Sequence, residues 1–193
     1  DPAQKGRVLA LLEERARISK FKAARERFIP FVQMMWPEVI IGAHHVIMAE
    51  AFEELVYGDL NRLIIKIAPR HGKSEMTSWL LPLWFLGINP KAKLMQCMNS
   101  QDLAASFGRR VRNAISREAI ATELKGDDPY HDIFPDMDLA KDSGAANHWH
   151  DVAGGEFYGV GTGGRIAGRG ADLLVIDDPS TEQEAKMAES NPA

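Results

Sequence analysis

Hydrophobic residues recur along the chain at two spacings, and each spacing predicts one kind of secondary structure. Apolar residues three or four positions apart predict an amphipathic helix over residues 43–57, which Gly58 ends. The β-branched run RLIIKIA at 62–68 predicts a buried strand. The segment SEMTSWLLPLWFLG at 74–87 predicts a helix that is apolar on one side, with a kink or early break at Pro82.

The second half of the chain repeats this alternation of strands and helices. KLMQCM at 93–98, EFYGVG at 156–161 and DLLVIDD at 172–178 each predict a strand, the last of them buried. A helix is predicted over 100–119, with Ser100 as its N-cap. Helices that alternate with near-continuous apolar strands are typical of an α/β domain, so we expect a mostly parallel central sheet flanked by helices.

Two segments fall outside this alternation. Residues 3–27 predict an exposed helix that carries many more basic than acidic residues. A solvated face and a contact to DNA or to a partner both fit that composition. Residues 125–148 are rich in Asp, Pro and Gly and are predicted to be irregular. We therefore divide the chain into an N-terminal helical, partly basic segment, 1–42, and an α/β domain, 43–193.

Composition and charge exclude several classes of protein. The 193 residues carry a formal net charge of −4 and a pI near 5.9, which argues against a wholly basic binder but not against a local basic patch. The single cysteine, Cys97, excludes an internal disulfide framework and fits a reducing compartment. No stretch approaches the roughly 18 apolar residues of a membrane span, and the charged start shows no signal peptide. We expect a soluble intracellular protein with no membrane partner.

Candidate chemistry begins with KIAPRHGKSEM at residues 66–76. Its GKS tripeptide matches the end of a phosphate-binding loop, although Ile67 replaces the glycine that usually opens the pattern. Gly72 allows the backbone to approach a phosphate closely, Lys73 reaches the β- and γ-phosphates, and Ser74 offers its hydroxyl to Mg²⁺. Such a loop follows a buried strand and opens a helix, and both are predicted here.

Two acids at the end of the last predicted strand complete the pattern. LLVIDD places Asp177 and Asp178 directly after four apolar residues. An acid at the tip of a strand beside a phosphate loop can support Mg²⁺. We therefore assign Asp177 to the metal and Asp178 to the water that attacks the nucleotide. The alternative is that the two acids begin a surface turn that Pro179 ends. ATPases with a phosphate loop of this kind more often carry Glu at the position of Asp178.

Several segments in order along the chain resemble the ATPase domain of the bacteriophage terminase large subunit, the motor that packages viral DNA. They span roughly residues 44–185 and are the HH pair at 44–45, RLIIKIAPRHGKSE, LGINPKAKLMQCMNSQDLAASFGRRVR, GGEFYGVGTGGRIAGRGADLLVIDDP and a following acidic helix start. PRHGKS and GRGADLLVIDDP are the most specific parts. Such motors commonly use proline and arginine in place of the first glycine, so the resemblance accounts for the unusual start of the loop.

The resemblance implies a P-loop NTPase fold of the ASCE type that binds ATP and Mg²⁺. It implies that ATP hydrolysis moves double-stranded DNA, independently of its sequence, into a capsid in the host cytoplasm. It also implies a homo-oligomeric ring, with the portal protein and the small terminase subunit as partners. Proteins of the family continue into a coupling motif and a nuclease domain. Because the sequence ends at Ala193, we expect either a truncated ATPase region without the nuclease domain or one part of a longer chain.

Residues around the tripeptide and upstream of it are further candidates. Four of them are assigned to nucleotide binding: Pro69, Arg70, His71 and Glu75. Arg70 either senses the γ-phosphate or pairs with an acid, His71 either contacts the nucleotide or shapes the loop, and the charge of Glu75 suits the start of a helix. In related motors an upstream polar residue contacts the adenine. His44 or His45 is a candidate for that contact, with a capping or surface role as the alternative.

Two arginines lie in the glycine-rich segment GGRIAGRGAD at 163–172. The strand that follows runs toward the phosphates, so this segment should lie at the opposite edge of the sheet from its own nucleotide. The resemblance points to an arginine here that acts in trans on a neighbouring subunit of a ring, and Arg169 matches the family pattern better than Arg165. Solvated arginines in a turn are the alternative. If Arg169 is not the catalytic arginine, Arg165 or Arg70 is the next candidate.

Other functions share parts of this pattern. A helicase-like remodelling ATPase uses the same loop and acid pair, and a nucleotide-binding assembly module would bind without turnover. A small-molecule kinase would need an acceptor-binding lid, which only 125–148 could supply. Three arginines of the helix predicted at 100–119 form either a solvated face or a contact to DNA or a subunit: Arg109, Arg110 and Arg112.

Overall fold

The structure is a computed structural model that describes residues 2–123 and 128–180. In chain order its elements are α1 (Pro2–Glu26), α2 (Phe28–Met35), α3 (Ala43–Tyr57), a π-helical segment (Glu75–Leu80), α4 (Leu81–Ile88), β1 (Lys93–Met98), α5 (Gln101–Ile115), α6 (Arg117–Glu123), α7 (Pro129–Ile133), β2 (His148–His150), β3 (Glu156–Gly161) and β4 (Leu173–Asp177). Two compact units divide the chain: Asp1–Lys66 with Pro129–Pro135, and Ile67–Asp128 with Asp136–Ala193. No helix in the described residues combines the length and the apolar character needed to cross a membrane.

The N-terminal unit is helical and is built on aromatic side chains. The ring of Phe28 lies 5.1 Å from that of Phe52 and 6.2 Å from that of Phe31, so α2 packs on α3. Phe134, which follows α7, lies 6.1 Å from Phe31 and joins the same cluster. Arg25, near the end of α1, donates a hydrogen bond to the carbonyl at the end of α7. These contacts hold a short segment from far along the chain in this unit.

The second unit is an α/β structure with a small mixed sheet. Its four strands lie in the order β2-β3-β1-β4. β1 is parallel to both β3 and β4, and β2 is antiparallel to β3. The helix pattern at 43–57 and the strands at 93–98 and 156–161 are confirmed at the positions that the spacing predicts. The α/β class is confirmed, while the mostly parallel sheet is reduced to three parallel strands and an antiparallel edge.

The strand predicted over 62–68 is wrong. These residues form no regular secondary structure, and the side chain of Ile64 is 83% exposed. A β-branched run fits a pleated surface, but a strand also needs a neighbour for its backbone N–H and C=O groups, and its own sequence cannot supply one. β4 consequently lies at the edge of the sheet in the described residues. The prediction that this strand is buried is only partly correct, because Leu174 and Ile176 are 51% and 58% exposed.

The predicted kink at Pro82 takes the form of a local change of helix type. The chain is helical from Lys73 to Ile88, and the turns before the proline are π-helical. Proline has no backbone N–H, so the carbonyl of Ser78, four residues earlier, loses its usual helical partner. The buried side chain of Gln96 on β1 donates to that carbonyl at 3.1 Å. A hydrogen bond from the neighbouring strand therefore lets the helix continue through the proline.

The remaining predictions are met in part. Ser100 caps α5 by accepting a hydrogen bond from the amide of Leu103 at 3.2 Å, as predicted. The helix predicted over 100–119 is two helices, α5 and α6, that meet at Ser116. The segment 125–148, predicted to be irregular, contains α7 and the first residue of β2. The acidic helix start expected after Pro179 lies outside the described residues.

Candidate functional site

The predicted phosphate loop and Asp178, the second residue of the acid pair, line one cavity of about 390 Å³ in the second unit. Its volume is within the range of small-molecule sites in proteins. The residues that line it are Ile67, Ala68, Pro69, Arg70, Gly72, Lys73, Ser74, Glu75 and Asp178. The structure therefore brings most of the predicted nucleotide-binding residues together with Asp178, which lies about a hundred positions later in the sequence.

The backbone of the loop turns sharply at two residues with positive φ. Arg70 has a φ of 64° and Gly72 a φ of 73°. Left-handed residues of this kind recur in loops whose successive N–H groups bind anions, and they are uncommon at any residue other than glycine. His71 Nδ1 lies 2.9 Å from the carbonyl oxygen of Pro69, so this side chain shapes the loop. The helix begins directly afterwards, with the Met76 amide donating to the carbonyl of Gly72 at 2.9 Å.

Lys73 lies between the two acids. Its Nζ is 2.5 Å from Asp178 Oδ1 and 3.3 Å from Asp177 Oδ1. Burial alone would lower the pKa of Lys73, but the hydrogen bonds and charges of Asp178 and Asp177 outweigh burial and raise the pKa above its ordinary value of 10.5. The ammonium is therefore charged at neutral pH. It holds the acid pair against the loop.

Asp177 is fixed from a second side by a residue that the sequence analysis missed. The hydroxyl of the fully buried Ser78 donates to Asp177 Oδ2 at 2.8 Å. Ser78 lies one helical turn after Ser74, on the helix that begins at the phosphate loop. That spacing could have indicated from the sequence that Ser78 faces the site. Gln96, which accommodates Pro82, also holds the Ser78 carbonyl. The acid at the tip of β4 is thus anchored to the helix that the loop opens.

Glu75 and the arginine cluster on α5 interact directly. The Glu75 carboxylate lies 2.5 Å from Arg110 Nη1, and the same guanidinium stacks 3.6 Å from the centre of the Trp79 ring. Arg112 donates to Asn113 and to a backbone carbonyl, whereas Arg109 is exposed. Because Arg110 and Arg112 have partners within the chain, the three arginines do not form one free basic face.

Arg169 lies far from the acid pair of its own chain. Its Nη1 is 3.0 Å from Glu156 Oε1, and its guanidinium lies 3.9 Å from the centre of the Tyr158 ring. Glu156 is the first residue of β3 and Asp177 is the last residue of the parallel strand β4. Arg169 is therefore at the opposite end of the strands from Asp177, as expected from the direction of the strand.

His44 and His45 belong to the N-terminal unit and interact with each other. Their rings have centroids 3.9 Å apart. The Nδ1 of His45 accepts a hydrogen bond from the amide of Gly42 at 3.1 Å, at the start of α3. His45 thus has the capping role that was the alternative to adenine contact. The adenine contact assigned to His44 stays a prediction.

Comparisons with protein-family models, with curated proteins and with solved structures found no match to the chain. What the site can do follows from its own residues. Lys73, Ser74 and Asp178 line the cavity at the start of a helix, and Asp177 lies 3.3 Å from Lys73 Nζ. Residue types of this kind bind phosphates and Mg²⁺ in phosphate loops. Lys73 would bind phosphate oxygens, and Ser74 and Asp177 could hold Mg²⁺.

Proposed function

We propose that the chain binds ATP and Mg²⁺ at the phosphate loop and hydrolyses the ATP. The supporting observation is the position of Lys73 Nζ, 2.5 Å from Asp178 and 3.3 Å from Asp177, at a cavity lined by the loop. The strand tip and the loop meet there although they are distant in sequence. A surface turn at the two acids, the alternative reading of LLVIDD, gives no reason for that convergence.

The residues of the site have separate tasks in nucleotide binding. The backbone of the loop and the ammonium of Lys73 bind the phosphates, because both present positive charge at the start of a helix. Ser74 and Asp177 would hold Mg²⁺, and the ion would neutralise negative charge on the phosphate oxygens. Asp177 suits that task because burial and the hydrogen bond from Ser78 fix the direction of its carboxylate.

Asp178 orients the water and accepts its proton. Its carboxylate is largely exposed beside the cavity, and its φ of 42° turns the chain at the tip of β4. As the water oxygen forms its bond to the γ-phosphorus, the bond to the bridging oxygen of ADP breaks. When phosphate binds Lys73, the ammonium is drawn away from Asp178, and the carboxylate becomes free to accept hydrogen bonds from water.

The resemblance to the terminase large subunit leads us to place this hydrolysis in a DNA-packaging motor. In such a motor the chain forms a ring, contacts the portal protein and the small subunit, and moves double-stranded DNA. A motor that passes along a whole genome grips phosphates rather than bases, so DNA binding should weaken steeply with salt and be indifferent to sequence.

Phosphate release from ATP by the purified chain tests the proposal. Lys73→Ala should reduce hydrolysis by orders of magnitude, because the transition-state charge loses its closest cation. Lys91→Ala removes an exposed lysine outside the cavity and should keep wild-type activity. Near-normal hydrolysis in Lys73→Ala would contradict the assignment of the loop. Binding of ATP without phosphate release in the wild type would favour the assembly module instead.

A further inference from the structure

Two histidines and a glutamate form a cluster on the sheet away from the phosphate loop. His148 and His150 belong to β2 and Glu156 belongs to β3. One ligand atom from each of the three lies within 4.8 Å of the other two. His148 Nε2 is 2.9 Å from Glu156 Oε1, and the two imidazole centroids are 5.2 Å apart. The proposed hydrolysis uses none of these three side chains.

The alternation of side chains along β2 directs both histidines to one face of the sheet. Trp149, between them, lies on the opposite face, where its ring stacks on Phe157 with centroids 4.9 Å apart and its Nε1 donates to the carbonyl of Gly108 at 3.3 Å. The strand register places His150 directly across from Glu156. Directly paired residues of antiparallel strands share a face. The backbone itself therefore brings the three ligands together.

The connection between the two strands fixes this register. The buried carboxylate of Asp151 accepts hydrogen bonds from the amides of Ala153 at 2.8 Å and Gly155 at 2.9 Å. The Asp151 amide donates in turn to the carbonyl of Gly155 at 3.1 Å. On the other side of the strand, the amide of His150 donates to Ser143 Oγ at 2.9 Å. The cluster is thus built on a hairpin that is hydrogen-bonded at its turn and along its edge.

We propose that His148, His150 and Glu156 bind one Zn²⁺ ion, with a fourth position open to water. Two imidazoles and a carboxylate are a common zinc ligand set, whereas Mg²⁺ prefers oxygen ligands, so this site differs from the one at the loop. Ligand atoms around a tetrahedral Zn²⁺ lie about 3.4 Å apart, given metal–ligand distances of ~2.1 Å. The three ligand atoms lie within 4.8 Å of one another, so metal binding requires their side chains to rotate toward that spacing. The exposed ring of His150 is able to rotate, since its nitrogens form no hydrogen bond within residues 2–123 and 128–180.

Arg169 competes with a metal ion for this cluster. It pairs with Glu156 Oε1 at 3.0 Å, the same oxygen that His148 contacts. A divalent cation bound to Glu156 would repel the guanidinium and take its place as the partner of the carboxylate. Removal of the Arg169 charge should therefore tighten zinc binding. Non-specific binding elsewhere on the chain would not respond to that change.

Calorimetric titration of the whole, tag-free chain with ZnCl₂ in an excess of MgCl₂ tests the proposal. The wild type should bind one Zn²⁺ per chain. His150→Ala and Glu156→Gln should each lose at least about tenfold in affinity, as expected when a metal site loses a ligand or its support. His71→Ala removes an exposed imidazole outside the cluster and should bind zinc as the wild type does. Titration with Co²⁺ should give the strong visible absorption of a tetrahedral site only in the proteins that keep all three ligands.

A second pair of variants leaves the three ligands in place. Arg169→Gln should bind Zn²⁺ several-fold more tightly than the wild type, whereas Arg165→Gln, which removes the same charge from the same segment, should bind it equally well. The proposal is overturned if the wild type binds no Zn²⁺ under these conditions or if His150→Ala binds it as tightly as the wild type. Should Glu156→Gln fail to fold, an affinity unchanged in Arg169→Gln overturns the proposal in its place.

Discussion

Asp177 and Asp178 are adjacent in sequence, but their surroundings differ. The side chain of Asp177 is 6% exposed and receives a hydrogen bond from Ser78, whereas the side chain of Asp178 is 67% exposed and forms an ion pair with Lys73. A buried carboxylate with a fixed direction suits a metal ligand, and an exposed one at the rim of the cavity suits an interaction with water.

We predict opposite defects for the two amide variants. Asp178→Asn should retain Mg-ATP binding and lose turnover, because an amide does not accept the proton of the water. Asp177→Asn should weaken the part of ATP binding that depends on Mg²⁺. Calorimetric titration with ATP, with and without Mg²⁺, separates the two effects. Loss of binding in Asp178→Asn, with binding kept in Asp177→Asn, would show that the roles are reversed.

The raised pKa of Lys73 leads to a second prediction about a single residue, the pH dependence of stability. A lysine whose pKa is higher in the folded than in the unfolded state stabilises the fold fully below its ordinary value of 10.5, and the contribution disappears as pH rises through the folded value. The wild type should therefore exceed Lys73→Met in free energy of unfolding at about pH 8, and the difference should shrink toward about pH 11.

Urea unfolding of both proteins at the two pH values measures this difference. Lys91→Met, which removes an exposed lysine outside the site, is the matched control for the general effect of alkaline pH. A difference between wild type and Lys73→Met that is the same at both pH values would contradict the ion pairs of Lys73 with the two acids.

At the scale of elements, the helix after the phosphate loop depends on a side chain from the sheet. Gln96 donates to the carbonyl of Ser78, which Pro82 deprives of its usual donor four residues on. Gln96→Leu should destabilise the fold by about 1–3 kcal/mol, the usual cost of an unsatisfied buried carbonyl. In a Pro82→Ala background the new amide can donate to Ser78, so the same substitution should cost less.

A double-mutant cycle of Gln96→Leu and Pro82→Ala, followed by urea unfolding, measures this coupling. The expected sign is that the double variant is more stable than the sum of the single effects. Additive effects would mean that Gln96 stabilises the helix through packing alone.

The elements that the sequence predicted well are those whose signal is local. The helix at 43–57 and the strand at 93–98 carry their own periodicity, and Ser100 carries its own cap. The run at 62–68 fails because pairing depends on a partner strand, which no local pattern specifies. β2 was missed because HWH is too short for periodicity, and its register is fixed by the turn at Asp151.

The candidate site was predictable to a similar degree. The loop and the acids follow known chemistry, so the sequence alone named Lys73 and Asp178 as candidates. Ser78 and Gln96 were missed because their roles depend on tertiary contacts, a hydroxyl aimed at Asp177 and an amide aimed at a helix carbonyl. The ion pair between Arg110 and Glu75 was missed for the same reason.

At the scale of the whole molecule, the position of Arg169 bears on assembly. Because it lies at the opposite end of the strands from its own acid pair, Arg169 would act on a neighbouring subunit in the ring proposed above rather than on the nucleotide of its own chain. If such a ring forms, specific ATPase activity should rise with protein concentration. Arginines supplied in trans accelerate phosphoryl transfer by about a thousandfold or more.

Mixing two inactive proteins measures this activity in trans. Arg169→Ala keeps the phosphate loop, and Lys73→Ala keeps the arginine, so their mixture should hydrolyse ATP faster than either protein alone. Arg165→Ala should be active without mixing. Wild-type activity of assembled Arg169→Ala, or no gain on mixing, would move the catalytic role to Arg165 or Arg70.

The exposed edge of β4 has a practical consequence for these experiments. No strand pairs with its outer side in the described residues, and Leu174 and Ile176 lie exposed on one of its faces. Such an edge is a template for strand addition between copies, which leads to aggregates that scatter light and bind amyloid dyes. Natural sheets often protect an edge with lysine, so Leu174→Lys should keep the chain dispersed. If ATPase activity changes with protein concentration, the same change in Leu174→Lys would indicate a catalytic ring, and its loss would indicate aggregation through β4.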